Sequence, residues 1–259
     1  MRRAGSTGYN VAMLETSVVQ AARILRSARR VVVLSGAGVS AESGVPTFRG
    51  AGGLWEGRRV EEVATPEAFD ADPLAVWRFY EERRCNLVRL APNPAHRVLA
   101  AWQDRFPSYT LVTQNVDGLH QAAGSRAVLE LHGSIWRVRC TSCRREREER
   151  GVPLPQLPPS CPACHGLERP AVVWFGEYLP SDVGNAAIAA AETCEVLLVV
   201  GTSAIVYPAA GLVAVAAGAG ATVIEVNPEA SAQAHLATVT LRAPAGEVLP
   251  LVEAWLKEG

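Results

Sequence analysis

Apolar and polar positions along this chain of 259 residues follow two alternating rhythms. Short unbroken apolar runs, Val31–Leu34 and Val196–Val200, have the length of strands buried on both faces, as a parallel sheet requires, and Thr222–Val226 is a further strand candidate. Further strands are predicted at Thr110–Thr113, Val128–Leu131, Ala171–Phe175 and Thr238–Leu241. Between them the spacing turns helical. Val18, Ala21, Ala22 and Leu25 predict a helix over about residues 14–28, with Thr16 or Ser17 as its start cap. Asp182–Ala191 and Ala209–Ala217 read as alanine-rich helices that pack closely on a sheet. Residues 1 to about 13 read as a loose tail, with Met13 as an alternative start. The fold class is therefore α/β, a Rossmann-like doubly wound parallel sheet.

Two segments break the alternation. Residues 51–92 are charged and aromatic and read as a helical insertion; residues 137–170 carry paired cysteines. The expected organisation is a nucleotide-binding domain from 14–50, 93–136 and 171–259, with 51–92 and 137–170 forming a smaller lobe. Ligands of open α/β sheets bind at the carboxyl ends of the strands, so a cleft between sheet and insertions is the expected site.

Composition narrows the function classes. The formal net charge is −1 and the basic residues are almost wholly arginine, Lys257 being the only lysine. The one dense charged stretch, Arg144–Arg150, mixes Arg and Glu, which argues against a nucleic-acid coat. No run of eighteen apolar residues and no signal-peptide pattern appears, so the expected setting is cytoplasmic, without membrane or nucleic acid as partner.

Cys140-x-x-Cys143 and Cys161-x-x-Cys164, seventeen residues apart, have the spacing of a four-cysteine zinc knuckle. Two thiolates from each of two tight turns close a tetrahedral shell, which predicts one structural Zn2+ with no open position for catalysis. The adjacent His165 reads as a surface residue, and Cys85 and Cys194 as ordinary core or helix residues. A nucleic-acid-binding ribbon and a redox pair are the weaker readings.

Val31–Leu34 runs directly into Ser35-Gly36-Ala37-Gly38-Val39-Ser40. Such a strand and glycine turn admits a pyrophosphate to backbone N–H groups, with the N-terminus of a following helix adding positive potential. Ala41 replaces the third glycine of the usual fingerprint, so the residues alone also fit a plain tight turn.

Further blocks follow in order: Gly44-Val45-Pro46-Thr47-Phe48-Arg49, Gln114-Asn115-Val116-Asp117-Gly118, Glu130-Leu131-His132-Gly133 and Gly201-Thr202-Ser203. Together, around a four-cysteine insertion, they resemble the sirtuin family of NAD-dependent protein deacylases from about residue 18 to the end. That resemblance implies NAD as co-substrate and acylated-lysine proteins or peptides as partners. It implies cofactor contacts from Gly36, Ala37, Gly38, Ser40, Phe48, Arg49, Trp55, Gln114, Asn115, Val116, Asp117, Gly201, Thr202, Ser203, Asn227, Pro228 and Glu229, and from the backbone near Ala245. It makes His132 the general base, with Asn115 and Asp117 holding the nicotinamide ribose and carboxamide. Val173, Phe175 and Gly176 belong to a segment that resembles the one pairing with substrate peptide as an added strand.

The implied reaction gives nicotinamide, free lysine and an O-acyl-ADP-ribose. An ADP-ribosyltransferase and a non-catalytic NAD and zinc binding module are the alternative readings. Thr47 stands where many deacetylases carry Asp, and Val63-Ala64-Thr65-Pro66 with Phe79-Tyr80-Glu81-Glu82-Arg83 resembles the class III branch, which removes succinyl, malonyl or glutaryl groups. Tyr80 and Arg83 share a helix face at this spacing, and a small Ala64 leaves room for a longer acyl chain. Spacing alone favours an amphipathic helix that packs Trp77 and Tyr80 and leaves Arg83 in water; the resemblance is what points Arg83 to the acyl group.

Overall fold

The computed structural model describes residues 6–47, 54–55 and 58–258. In chain order the elements are α1 (Ser6–Ser27), β1 (Arg30–Ser35), a 3-10 turn (Ala37–Ser43), β2 (Leu54–Trp55), β3 (Arg58–Arg59) and α2 (Val60–Val63). α3 (Pro66–Ala71), α4 (Pro73–Leu87), α5 (Pro94–Trp102), β4 (Ser108–Thr113), α6 (Leu119–Ala122) and β5 (Val128–Glu130) follow. The next are β6 (Gly133–Cys140), β7 (Glu146–Glu148), β8 (Glu168–Val172), α7 (Ser181–Thr193) and β9 (Val196–Val200). α8 (Gly211–Gly218), β10 (Thr222–Val226), β11 (Val239–Leu241) and α9 (Ala245–Lys257) complete the chain.

Six strands form one parallel sheet in the order β11-β10-β9-β1-β4-β5. The central strands are mostly apolar, β9 wholly so, because both faces are covered. Val31 and Val33 point to a core with residues of α1, α5 and α9, while Val32 and Leu34 point to one with residues of α7 and α8. From β1 the chain adds β4 and β5 on one side and later β9, β10 and β11 on the other. The order thus reverses between β1 and β9, and the loops leaving these strands diverge there.

A second core joins the insertions. Val63, Phe69, Val76, Trp77 and Tyr80 from α2–α4 pack with Ile135, Val138 and Val172 of a three-stranded sheet ordered β7-β6-β8. Local chemistry sets these helices: Thr65 Oγ1 accepts from Ala68 N–H at 3.1 Å before Pro66, and Asp72 Oδ1 accepts from Ala75 N–H at 2.9 Å before Pro73. Arg84, fully buried, donates to the carbonyls of Ile135, Glu149 and Gly151 and so fixes α4 to the cysteine-bearing lobe.

Three expectations change. Residues 6–13, read as part of a loose tail, belong to α1, whose helical spacing continues upstream of Leu14. The glycine turn is followed by a 3-10 turn and not an α-helix: Val39 N–H bonds to Gly36 O, and Gly44, at φ 93°, ends the segment after seven residues. The strand expected at Ala171–Phe175 is β8, antiparallel to β6 in the small sheet and not in the parallel one. Gly133, at φ 73°, permits this: a Cβ there would lie 2.1 Å from Ala171 O, so only glycine lets β6 start beside β8. Among the described residues, no helix is long and apolar enough to cross a membrane.

Candidate active site and zinc site

A cleft of about 500 Å³ lies at the carboxyl ends of β1, β4, β9 and β10, under the insertions. This volume is in the range of small-molecule and cofactor pockets. Gly36, Ala37, Gly38, Gln114, Asn115, Val116, Asp117, His132, Gly201, Thr202, Ser203, Asn227, Pro228 and Glu229 all line it. Ala64, Tyr80, Arg83, Val173, Phe175 and Gly176 line it from the small lobe.

Glycines bring its loops together. Gly38 N–H donates to Gly201 O at 2.7 Å, and a Cβ on Gly38 would sit 2.7 Å from the same oxygen. Gly201, at φ 59°, would carry a Cβ 2.3 Å from Val39 N. Thr202 Oγ1 accepts from Gln114 Nε2 at 3.0 Å, and Thr202 O accepts from Asn227 Nδ2 at 3.1 Å. Four loops are stitched into one wall of small and amide side chains, a chemistry that fits a dinucleotide.

His132 leaves β5 into β6 with its Nδ1 2.9 Å from Gln114 O. A carbonyl only accepts, so Nδ1 carries the proton and Nε2 holds the basic lone pair. Burial lowers the His132 pKa below its ordinary value, opposed by the Gln114 bond. The imidazole is therefore neutral at pH 7 and able to take a proton.

Asn115 and Asp117 are held from behind. Ser40 lies beneath the cleft, fully buried; its Oγ donates to Asp117 Oδ2 at 2.8 Å and accepts from Asn115 Nδ2 at 3.2 Å. Asn93 N–H donates to His96 Nδ1, so His96 Nε2 carries its proton and donates to Ser40 Oγ at 3.3 Å. Leu119 N–H adds a bond to Asp117 Oδ1 at 2.8 Å. Burial raises the Asp117 pKa, against the bonds from Leu119 and Ser40 that favour the ionised form. A parallel chain runs from His120 Nε2 to Ser35 Oγ, on to Thr113 Oγ1, and so to Asn115 N–H, with steps of 2.9, 2.9 and 3.1 Å.

From sequence, Ser35, Asn93, His96, Thr113 and His120 carried no functional role. Their signal was polarity at core positions: Ser35 closes an apolar strand, and His96 shares the buried face of α5 with Ala95 and Leu99. Burial pushes the two histidines down to about 4 for His96 and about 3 for His120.

Ala245, expected near the cofactor, starts α9 with its side chain in the core and does not line the cleft. Phe48, Arg49 and the side chain of Trp55 lie outside the described residues. Arg83 is buried at the cleft wall, not in water as a plain amphipathic helix would have it. Val173 N–H donates to His132 O at 2.9 Å and Phe175 N–H to Ala64 O at 3.0 Å, so the segment after β8 runs between His132 and the Ala64 turn.

The four cysteine Sγ atoms lie within 4.8 Å of one another. Cys140 and Cys164 are 3.5 Å apart, and Cys143 and Cys161 3.7 Å. These distances are far beyond a disulfide, while a tetrahedron with Zn–S of about 2.3 Å has edges of about 3.8 Å. The two turns have the same fold. Cys140 N–H donates to Arg145 O and Cys161 N–H to Gly166 O, and Arg144 and His165 each adopt positive φ, 62° and 59°. Sulfur number, spacing and symmetry fit one structural Zn2+.

Residues 36–208 match the Sir2 family model. The chain is 50% identical over 228 residues to the NAD-dependent protein deacylase of Aquifex aeolicus, covering 88% of this chain and 95% of that protein. A crystal structure of a Sir2 homologue in complex with NAD shares 44% identity at a TM-score of 0.86, covering 92% of this chain and 94% of that one. Sir2Af2 bound to a myristoylated histone peptide shares 36% identity at a TM-score of 0.76, covering 94% and 98%. With its doubly wound sheet, four-cysteine lobe and these matches, the chain belongs to the Sir2 family, the sirtuins.

Proposed function

We propose that this protein is an NAD-dependent protein-lysine deacylase that removes acetyl and the acidic succinyl and malonyl groups, giving nicotinamide and an O-acyl-ADP-ribose. The observation that carries the reading is that a neutral His132 and a buried Arg83 line one cleft. The relatives named NAD-dependent protein deacylase, the homologue bound to NAD and the one bound to an acylated histone peptide support it.

NAD supplies an anomeric carbon whose bond to nicotinamide breaks as the acyl oxygen of the modified lysine attacks. His132 Nε2 accepts the proton of the ribose 2′-hydroxyl, which then attacks the acyl carbon. One water adds, the C–N bond to the lysine breaks, and the protonated lysine amine leaves while the acyl group stays on the ribose as an ester. Asn115 and Asp117, braced by Ser40, orient the nicotinamide ribose and carboxamide. Gly36, Ala37 and Gly38 face the diphosphate with Gly201, Thr202 and Ser203, and Asn227, Pro228 and Glu229 take the adenosine ribose. Phe48, Arg49 and Trp55 belong to the same proposal through the family pattern alone.

Arg83 pairs with the carboxylate of a succinyl or malonyl group, and Tyr80 donates a further hydrogen bond. Burial raises the Tyr80 pKa, so the phenol stays protonated. Ala64 leaves space for the chain, and Val173, Phe175 and Gly176 pair with the peptide backbone. Zinc held by Cys140, Cys143, Cys161 and Cys164 keeps the small lobe folded. A cytoplasmic location is part of the proposal, supported by zinc-type cysteine geometry.

The test is product stoichiometry. Purified protein, NAD and a succinyl-lysine peptide yield nicotinamide and deacylated peptide in equal amounts. Nicotinamide release with ADP-ribose attached to protein and no deacylation establishes a transferase instead.

A further inference from the structure

We propose that Trp174 is a specificity-determining positioning residue: its indole N–H orients the Tyr80 phenol as a donor to an acidic acyl group. The inference rests on the assignment of Tyr80 and Arg83 to the acyl pocket. Trp174 Nε1 donates to Tyr80 Oη at 2.9 Å, and both rings are buried at the cleft wall. A phenol oxygen that accepts a hydrogen bond from one side turns its own O–H toward another. An acetyl group gains nothing from that donor at its far end, whereas a carboxylate does.

The indole is itself fixed and polarised. The Arg169 guanidinium stacks on it, 3.4 Å from the ring centroid, and a cation over the ring draws electron density from it and strengthens the N–H as a donor. Arg169 is in turn clamped to both carboxylate oxygens of Glu177 at 2.6 and 2.9 Å. Glu177 Oε2 also accepts from Trp174 N–H at 2.8 Å. Phe69 also packs against the indole, 5.3 Å between ring centroids. A phenylalanine at position 174 would fill the site and pack, so the N–H has a role that burial alone does not require.

The experiment compares wild type, Trp174→Phe and Arg83→Met on matched succinyl-lysine and acetyl-lysine peptides. Trp174→Phe is expected to lower kcat/KM for succinyl about tenfold, chiefly through KM, and to leave acetyl within about twofold. Equal loss on both peptides, or none on either, overturns the inference. If Arg83→Met is selective and Trp174→Phe is not, only this inference fails. If Arg83→Met is not selective either, the acyl-pocket assignment fails and takes the inference with it.

A spectroscopic readout covers a poorly folding variant. In 15N-labelled wild type, the Trp174 indole N–H resonance is expected to shift on adding succinyl-lysine peptide and not acetyl-lysine peptide. It is also expected to move in Tyr80→Phe. An indole signal indifferent to both overturns the proposal.

Discussion

His132 Nδ1 lies 2.9 Å from the carbonyl oxygen of Gln114, and that single contact fixes which imidazole nitrogen holds the lone pair for the proposed general-base role. The proton must sit on Nδ1, and burial holds the ring neutral by lowering its pKa. Activity depends on the neutral form, so it rises as pH increases through the His132 pKa, and the acid limb of kcat/KM has its midpoint below 6.5. A midpoint above 6.5 contradicts the assignment. His132→Ala is expected to lower kcat by about 10²–10⁴ while NAD still binds.

Arg83→Met removes the cation from the part of the cleft proposed to hold the acyl group. Loss of a charge-assisted bond predicts a fall of about tenfold or more in kcat/KM on a succinyl-lysine peptide. Acetyl-lysine, with no carboxylate to pair, is expected to change far less. Parallel loss on both peptides, measured by peptide mass spectrometry, would give Arg83 a purely structural role.

The sheet was legible in the sequence because buried parallel strands leave apolar runs such as Val196–Val200; Thr222–Val226, interrupted by Glu225, also occurs as read. The zinc pairs were legible because their chemistry is local. What escaped was either tertiary or buried. Ala171 and Val172 look like a core strand from either sheet, and only Gly133 at φ 73° decides which partner they take. His96 is unremarkable in sequence, and Ser40, read there as a cofactor contact, is buried with its hydroxyl placed to bond Asp117 and Asn115 at once.

The two buried histidines behind the site make stability depend on acid. Their folded pKa values, about 4 and about 3, lie below the unfolded value of 6.5, so the unfolded chain binds protons first. Their contribution is complete above pH 6.5 and is lost as pH falls toward 4. The urea midpoint should therefore drop between pH 6.5 and 4, and less steeply in His120→Gln. An unchanged slope in that variant contradicts the burial argument.

Metal analysis should find about one zinc per chain. Cys161→Ser is expected to lose it and to lower Tm by about 5 °C or more, since the metal closes the two cysteine turns of the lobe that Arg84 joins to α4 through the carbonyls of Ile135, Glu149 and Gly151. Full stability without zinc would contradict a structural role.

Gly38→Ala sets a Cβ against Gly201 O, 2.7 Å away, where neither backbone can retreat without opening the loop wall. A loss of ~3 kcal/mol in stability, together with weakened NAD binding by calorimetry, is expected. Unchanged stability would show that the loops move apart at little cost.

Mass spectrometry of the products formed when the protein and its His132→Ala variant are incubated with NAD and either acetyl-lysine or succinyl-lysine peptide decides whether His132 drives NAD-dependent deacylation. The expected product is O-acyl-ADP-ribose carrying the peptide's acyl group, formed only with NAD and only by the protein with His132 intact, with succinyl removed faster than acetyl. Deacylation without NAD, free acid in place of the ADP-ribose ester, or undiminished turnover by His132→Ala would contradict it.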